Sequence, residues 1–193
     1  MESFALTEAR ARVVVLVEGV SDRIALETLA ERRGRDLAAE GVRVVPIGGA
    51  QAIGRFLNLY GPRGLDLRLA GLCDAGEERD FRRGLERAGF GSGLGRAEME
   101  RLGFYVCDQD LEDELIRAAG AETIERIAEA NGDLRSFRTL QKQAAWRGRP
   151  VEDQLHRWFG SGGRRKLRYA RLLVEAVALD EIPRPLNGVL AHV

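Results

Sequence analysis

Between residues 13 and 107 the chain repeats one pattern: a short apolar run, then an acid, then apolar residues at helical spacing. Val13-Val14-Val15-Leu16-Val17 runs into Glu18, Gly19, Val20, Ser21 and Asp22; residues 67–73 run into Asp74; residues 104–107 run into Asp108, Gln109, Asp110, Leu111 and Glu112. Unbroken β-branched runs of this kind predict strands covered on both faces. After the first strand, Ile24, Leu26 and Leu29 mark a helix over 22–33 with Ser21 as its N-cap. Residues 42–47 predict a second strand closed by Gly48 and Gly49, with a helix over 50–60 behind it. A helix over 77–88 follows the third strand, and the four glycines in 89–95 mark a flexible loop. Past Cys107 the spacing turns helical over 110–119, 121–131, 134–143, 151–159 and 164–179. The alternation predicts an α/β domain: a parallel four-stranded sheet flanked by helices, with a C-terminal helical extension. Residues 1–118 would be the α/β core with an acidic rim, and 119–193 a basic helical extension of the same single domain.

In a parallel sheet the acids that follow each strand gather at one edge, where open α/β sheets place their sites. Carboxylates crowded there repel one another, and a hard divalent cation such as magnesium or manganese is the economical neutraliser.

Charge sharpens the picture. The chain is formally neutral, yet residues 134–174 hold eleven basic residues against two acids, so this stretch is +9 and the remainder −9. An acidic rim followed by a basic segment suits a protein that holds a phosphate backbone electrostatically and attacks it through metal, although two solvated helix faces would give the same segregation. Of the thirty basic residues only Lys142 and Lys166 are lysine. Where arginine is the default cation, a lysine suggests a need for a compact, tunable point charge. Lys166 follows the glycine-rich stretch Gly160-Ser161-Gly162-Gly163-Arg164-Arg165, which reads as a loop delivering it at a helix start.

These residues resemble a known family. Glu18 and Asp22 in a strand-Glu-Gly-x-x-Asp-helix setting, Asp74 after the third strand, Asp110-Leu111-Glu112 after the fourth, and Lys166 resemble the TOPRIM (topoisomerase-primase) domain, with its Rossmann-like sheet, as used in the OLD (overcoming lysogenisation defect) nucleases. The resemblance implies Mg²⁺ or Mn²⁺ held by Glu18, Asp22, Asp74, Asp110 and Glu112, Glu18 and Lys166 as catalytic residues, and cleavage of a phosphodiester. The usual second motif is Asp-x-Asp, and here glycine stands at Gly76. Either a rearranged set holds the metal, with Glu77 at the helix start the best substitute, or one metal position is lost. No Gly-x-x-x-x-Gly-Lys-Ser/Thr phosphate loop is present, so the chain is expected to be the TOPRIM part without the family's ATPase domain. Expected partners are nucleic acid, DNA ahead of RNA, contacted by Arg164, Arg165 and Arg168, together with a separate ATPase and further copies of the chain.

Composition narrows the remainder. With 193 residues, 45% hydrophobic and 31% charged, the chain suits one globular core. No stretch nears the roughly 18 consecutive apolar residues of a membrane span, and no signal-like apolar region precedes Arg10 and Arg12, so the cytoplasm is the expected location. Cys73 and Cys107 read as buried small residues. His156 and His192 lack metal-ligand spacing and read as satisfied or exposed. Trp146 and Trp158 read as caps on the core beneath the C-terminal helices. Two functions follow: a metal-dependent nuclease, and, favoured by Gly76, a non-catalytic TOPRIM module that binds nucleic acid or a partner protein.

Overall fold

The structure, a computed structural model, describes residues 11–193; residues 1–10, which carry much of the N-terminal targeting expectation, lie outside the described residues. Four strands form one sheet in the order β2-β1-β3-β4, with β1 Val13–Val17, β2 Val42–Pro46, β3 Arg68–Cys73 and β4 Phe104–Val106. All three pairings are parallel, with Val15 level with Val44 on one side and Ala70 on the other. Every residue of β1 is buried, as its unbroken valine run requires of a strand in the middle of a covered sheet.

Side-chain alternation along β1 divides the interior in two. Val13, Val15 and Val17 face one core with Ala70 and Leu72, while Val14 and Leu16 face the other with Leu69 and Cys73. The first core is covered by α1 (Val20–Arg32) and by the C-terminal helices; the second by α2 (Ile53–Tyr60), α3 (Glu78–Ala88) and α4 (Arg96–Arg101). The helices after β1 and β3 therefore lie on opposite faces. That makes the gap between the C-terminal ends of β1 and β3 the topological switch point of the sheet.

The helical extension comprises α5 (Leu111–Ala119), α6 (Ala121–Ala130), α7 (Leu134–Gln141), α8 (Val151–Gly160), α9 (Gly163–Ala176) and α10 (Arg184–His192). Its centre is aromatic: Trp158 lies 5.3 Å from Phe137, 5.3 Å from Phe159 and 5.2 Å from Tyr169, ring centre to ring centre. The Trp158 indole N–H donates to Ser136 Oγ at 2.8 Å, so the buried ring leaves no polar group unmet. Trp146 is partly buried against the same core. The extension is locked to the sheet through α1, where Arg32 donates to the carbonyls of Val174 at 2.6 Å and Val177 at 2.7 Å. No described helix is long and apolar enough to cross a membrane.

Several boundaries differ from the sequence expectation. Helix α1 is capped by Gly19 rather than Ser21; Ser21 is buried inside the first turn, and Asp22 reaches back to accept from the Gly19 N–H at 2.8 Å. Single 3₁₀ turns at Ala50–Ala52 and Ala75–Glu77 precede α2 and α3. Helix α9 ends at Ala176, where Val177 turns extended. Two helices went unpredicted. Arg184–His192 contains Pro185 and Gly188; Pro185 occupies the first turn, where its missing N–H costs nothing. Gly188 is needed because a Cβ there would come within 2.3 Å of the Tyr105 ring. The other, Arg96–Arg101, is short and follows directly on the glycine-rich stretch.

Gly71 in β3 lies opposite Phe104 of β4, and a Cβ at Gly71 would sit 2.6 Å from that ring and 2.9 Å from the Leu16 carbonyl oxygen. Backbone cannot yield as a side chain does. Gly71→Ala is expected to lower stability in urea denaturation by about 2 kcal/mol, a typical overpacking cost. An alanine variant as stable as the parent would show that the ring and strand shift freely.

Candidate metal centre

Three parallel strands end at one edge, and each delivers a carboxylate there. Glu18 directly follows β1 and Asp74 directly follows β3, at the switch point. The Asp74 backbone N–H donates to Glu18 Oε1 at 2.8 Å, tying the two strand ends together. The Glu18 carbonyl accepts from the N–H groups of Gly48, 3.1 Å, and Gly49, 3.3 Å, so β2 is tied in as well. Both glycines have positive φ, 78° and 112°, a conformation that side chains disfavour. Asp22 enters from the first turn of α1, fixed by its bond to the Gly19 N–H.

Asp110 is the N-cap of α5. Its Oδ1 accepts from the Asp113 N–H at 2.8 Å, and its Oδ2 lies 2.6 Å from His156 Nε2 of α8. Glu112, in the first turn of α5, pairs with Lys166 Nζ of α9 at 3.0 Å. The Ala75 N–H donates to the Gln109 carbonyl at 3.0 Å, which holds the loop after β3 against the loop after β4.

The electrostatics single out one half of this group. Burial, followed by repulsion from Glu18, Asp22, Asp110 and Glu112, pushes Asp74 from an ordinary 3.8 up to about 8. Asp22 is pushed up to about 6 by burial, which outweighs the Gly19 N–H. Glu18 is raised by burial and by the charges of Glu77 and Glu112, against the opposing pull of the Asp74 N–H and Lys166. In the other half, burial opposes ionisation of Asp110, but the His156 hydrogen bond and the Asp113 N–H outweigh it and hold its pKa below normal. His156 is raised in turn by that bond. Lys166 is raised by Glu112, Asp22 and Asp110 although burial works against its charge.

The predicted acids Glu18, Asp22, Asp74, Asp110 and Glu112 thus feel one another across the strand ends, and Glu77 acts on Glu18. Gly76 lies in the 3₁₀ turn with nothing within 4 Å of where a Cβ would stand, so the motif's usual aspartate is missing from open space rather than excluded by packing. Among the described residues no group of three or more His, Cys, Asp or Glu side chains is arranged to hold a metal ion as it stands. The donor chemistry nonetheless suits one: all oxygen ligands, with Asp22 and Asp74 raised by burial and repulsion even though the Lys166 charge pulls Asp22 down. His156 was missed in the sequence, and no local spacing signals it; it meets Asp110 across 46 residues.

The three predicted arginines behave differently from one another. Arg165 is spent internally, donating to the Trp158 carbonyl at 2.7 Å and to Ser136 Oγ at 3.1 Å while lying over the Trp158 ring. Arg168 pairs with Asp133. Arg164 is exposed. Cys73 and Cys107 are free and buried, and burial pushes both thiols far up, as inert packing residues require.

Residues 11–75 match the family described as "Overcoming lysogenization defect protein-like, TOPRIM domain". Among solved structures, the chain is similar to the C-terminal region of the Xanthomonas campestris pv. campestris OLD protein, with 27% identity and a TM-score of 0.75 over 95% of this chain and 92% of that one. It is also similar to the C-terminal region of the Burkholderia pseudomallei OLD protein, with a TM-score of 0.72 over 94% and 96% of the two chains; at 22% identity that likeness speaks for the fold alone. No curated protein matches. The match covers β1 through the start of the β3 loop and so includes Glu18, Asp22 and Asp74. With the parallel sheet and the acidic rim, residues 11–75 are similar to the OLD-like TOPRIM domain, and the chain as a whole is similar to the C-terminal region of the Xanthomonas campestris pv. campestris OLD protein.

Proposed function

We propose that this protein is a divalent-metal-dependent nuclease that hydrolyses phosphodiester bonds, most directly by nicking DNA, in the cytoplasm. The observation that carries the reading is the switch-point pair Glu18 and Asp74, joined at 2.8 Å and lying in the TOPRIM-matched segment, with Lys166 brought to Glu112 from the far end of the chain. When bound, Mg²⁺ or Mn²⁺ supplies Lewis acidity, activating water as nucleophile and drawing charge from the phosphate. Glu18, Asp22 and Asp74 would hold the cation, with Glu77, whose charge acts on Glu18, as a further oxygen donor. Asp110 holds His156, and Glu112 holds Lys166, whose charge also acts on Glu18 and Asp22. The Lys166 ammonium stabilises the charge that builds on the phosphate oxygens. Arg164 binds the flanking backbone, and a separate ATPase and further copies of the chain are its expected partners. The second reading, a binding module without catalysis, is favoured by Gly76 and by the carboxylates not being arranged for metal as they stand.

Glu18→Gln and Asp74→Asn are each expected to abolish Mn²⁺-dependent nicking of supercoiled plasmid while keeping the parent's circular dichroism. Cleavage by both variants at the parent's rate would sink the metal assignment. A parent that neither binds Mn²⁺ nor cleaves would select the binding module.

The raised acids also set a pH dependence. Asp74 at about 8 and Asp22 at about 6, against 3.8 unfolded, bind their protons more tightly in the folded state. Their contribution is fully favourable below the unfolded value and is lost as pH rises through those folded values. Without metal, Asp74→Asn should therefore melt higher than the parent above pH 8, with the difference closing toward pH 4. Adding Mg²⁺ should raise the parent's melting temperature and narrow the gap. Equal melting curves across the range would remove the repulsion argument.

Lys166→Arg keeps the charge but replaces a compact ammonium with a planar fork. Single-turnover cleavage should fall on the order of a hundredfold, while equilibrium binding of the same DNA changes little. An unchanged rate would make Lys166 an ordinary surface cation, and a parallel loss of both would make it a binding residue.

A further inference from the structure

Ser21, Thr28 and Gln154 are the buried polar side chains among the described residues, and Gln154 spends its whole amide on the loop between α7 and α8. Its Nε2 donates to the carbonyls of Trp146 at 2.9 Å and Arg149 at 3.0 Å, while its Oε1 accepts from Gln141 at 2.8 Å. A buried amide is costly unless each of its groups is met, so the loop's shape is fixed from beneath. Residues 142–150 hold Lys142, Arg147 and Arg149 and no acid. Among the described residues the Lys142 side chain has no partner, and Arg147 and Arg149 donate only to carbonyls of the same loop, those of Lys142 at 3.2 Å and Ala145 at 2.9 Å. Glu152 and Asp153 follow in the first turn of α8, where they complement the helix dipole, and neither pairs with a loop cation. Trp146 is half-buried on the core, with the Arg149 guanidinium over its ring 5.0 Å from the centre. Unlike that of Trp158, its indole N–H has no partner among the described residues.

We propose that this loop grips an unpaired DNA strand, with a base stacked on the Arg149 and Trp146 pair and with Lys142 and Arg147 on the flanking phosphates. This rests on the nucleic-acid reading above. Three cations without an acid suit a polyanion, but a phosphate backbone alone needs no aromatic ring. A planar guanidinium laid over an indole extends the stack outward, and a base can join it only when free of its duplex partner. An acidic protein segment would meet the charge but not the stack. Arg149 precedes His156 by seven residues. At 1.5 Å per helical residue the loop lies about 10 Å along α8 from the rim, or about three nucleotide steps of 3.4 Å. It would hold the strand close to the scissile phosphate without entering the chemistry.

The test is binding in EDTA, where no metal-dependent cleavage occurs, read by fluorescence anisotropy on labelled oligothymidine and on a duplex of the same length. Arg149 is exposed, so Arg149→Lys should fold; it keeps the charge and loses the plane. Arg149→Lys and Trp146→Leu should each weaken single-strand binding about tenfold and change duplex binding little, and Trp146→Phe should restore most of the loss. The double variant Lys142→Ala/Arg147→Ala should weaken binding to both and lower the single-strand salt slope by about 1.4, at about 0.7 per phosphate contact. Single-strand affinity equal to the parent's in both Arg149→Lys and Trp146→Leu would overturn the inference, as would an equal loss on the duplex. A parent without affinity for the single strand would overturn it too. In each of these cases, plasmid nicking by the parent would leave the nuclease reading standing, so the two fail separately.

Discussion

The bond from the Asp74 N–H to the Glu18 carboxylate is the contact on which the acidic rim depends. It closes the switch point between β1 and β3 and sets two acids side by side at the place where the connecting helices part to opposite faces. A parallel sheet with buried faces has little freedom in where its strands end. The carboxylates that follow the strands are therefore forced together whatever their mutual repulsion, and the raised values of Asp74 and Asp22 express that cost. A site that tolerates such repulsion in the folded state is prepared for a cation, since stability given up to the crowding is returned on binding.

The helical extension does more than cover a face of the sheet. Its aromatic centre of Phe137, Trp158, Phe159 and Tyr169 fixes α8 and α9 against one another, and those helices present His156 and Lys166 to Asp110 and Glu112. Packing and electrostatics are thereby coupled: a change that loosens the aromatic cluster would also free His156 and Lys166 from their acids. Arg32 of α1 binds the carbonyls near the end of α9, so the helix that carries Asp22 and the helix that carries Lys166 are held in register.

A basic stretch of sequence is not the same as a basic surface. Of the cations in residues 134–174, Arg138 pairs with Glu125, Arg168 with Asp133, Arg171 with Glu31, and Arg165 binds backbone and ring within the fold. Arg135, Lys142, Arg157 and Arg164 make no such side-chain contact among the described residues. Electrostatic attraction of a polyanion would draw on these four more than on the arginines already spent.

Much of this protein was legible in the amino-acid order. Continuous apolar runs determined the four strands, because a strand buried on both faces admits little else, and the acids behind Val17, Cys73 and Cys107 marked the rim through the parallel geometry alone. Lys166 stood out because arginine is otherwise nearly universal. Other features had no local signal. The cap at Gly19 depends on Asp22 folding back, the helix over Arg184–His192 on Tyr105 receiving Gly188, and the partnership of His156 with Asp110 on helices 46 residues apart meeting at one edge. Spacing along a chain reports which face a residue occupies within its own element; which residues from different elements touch is decided only when the layers pack.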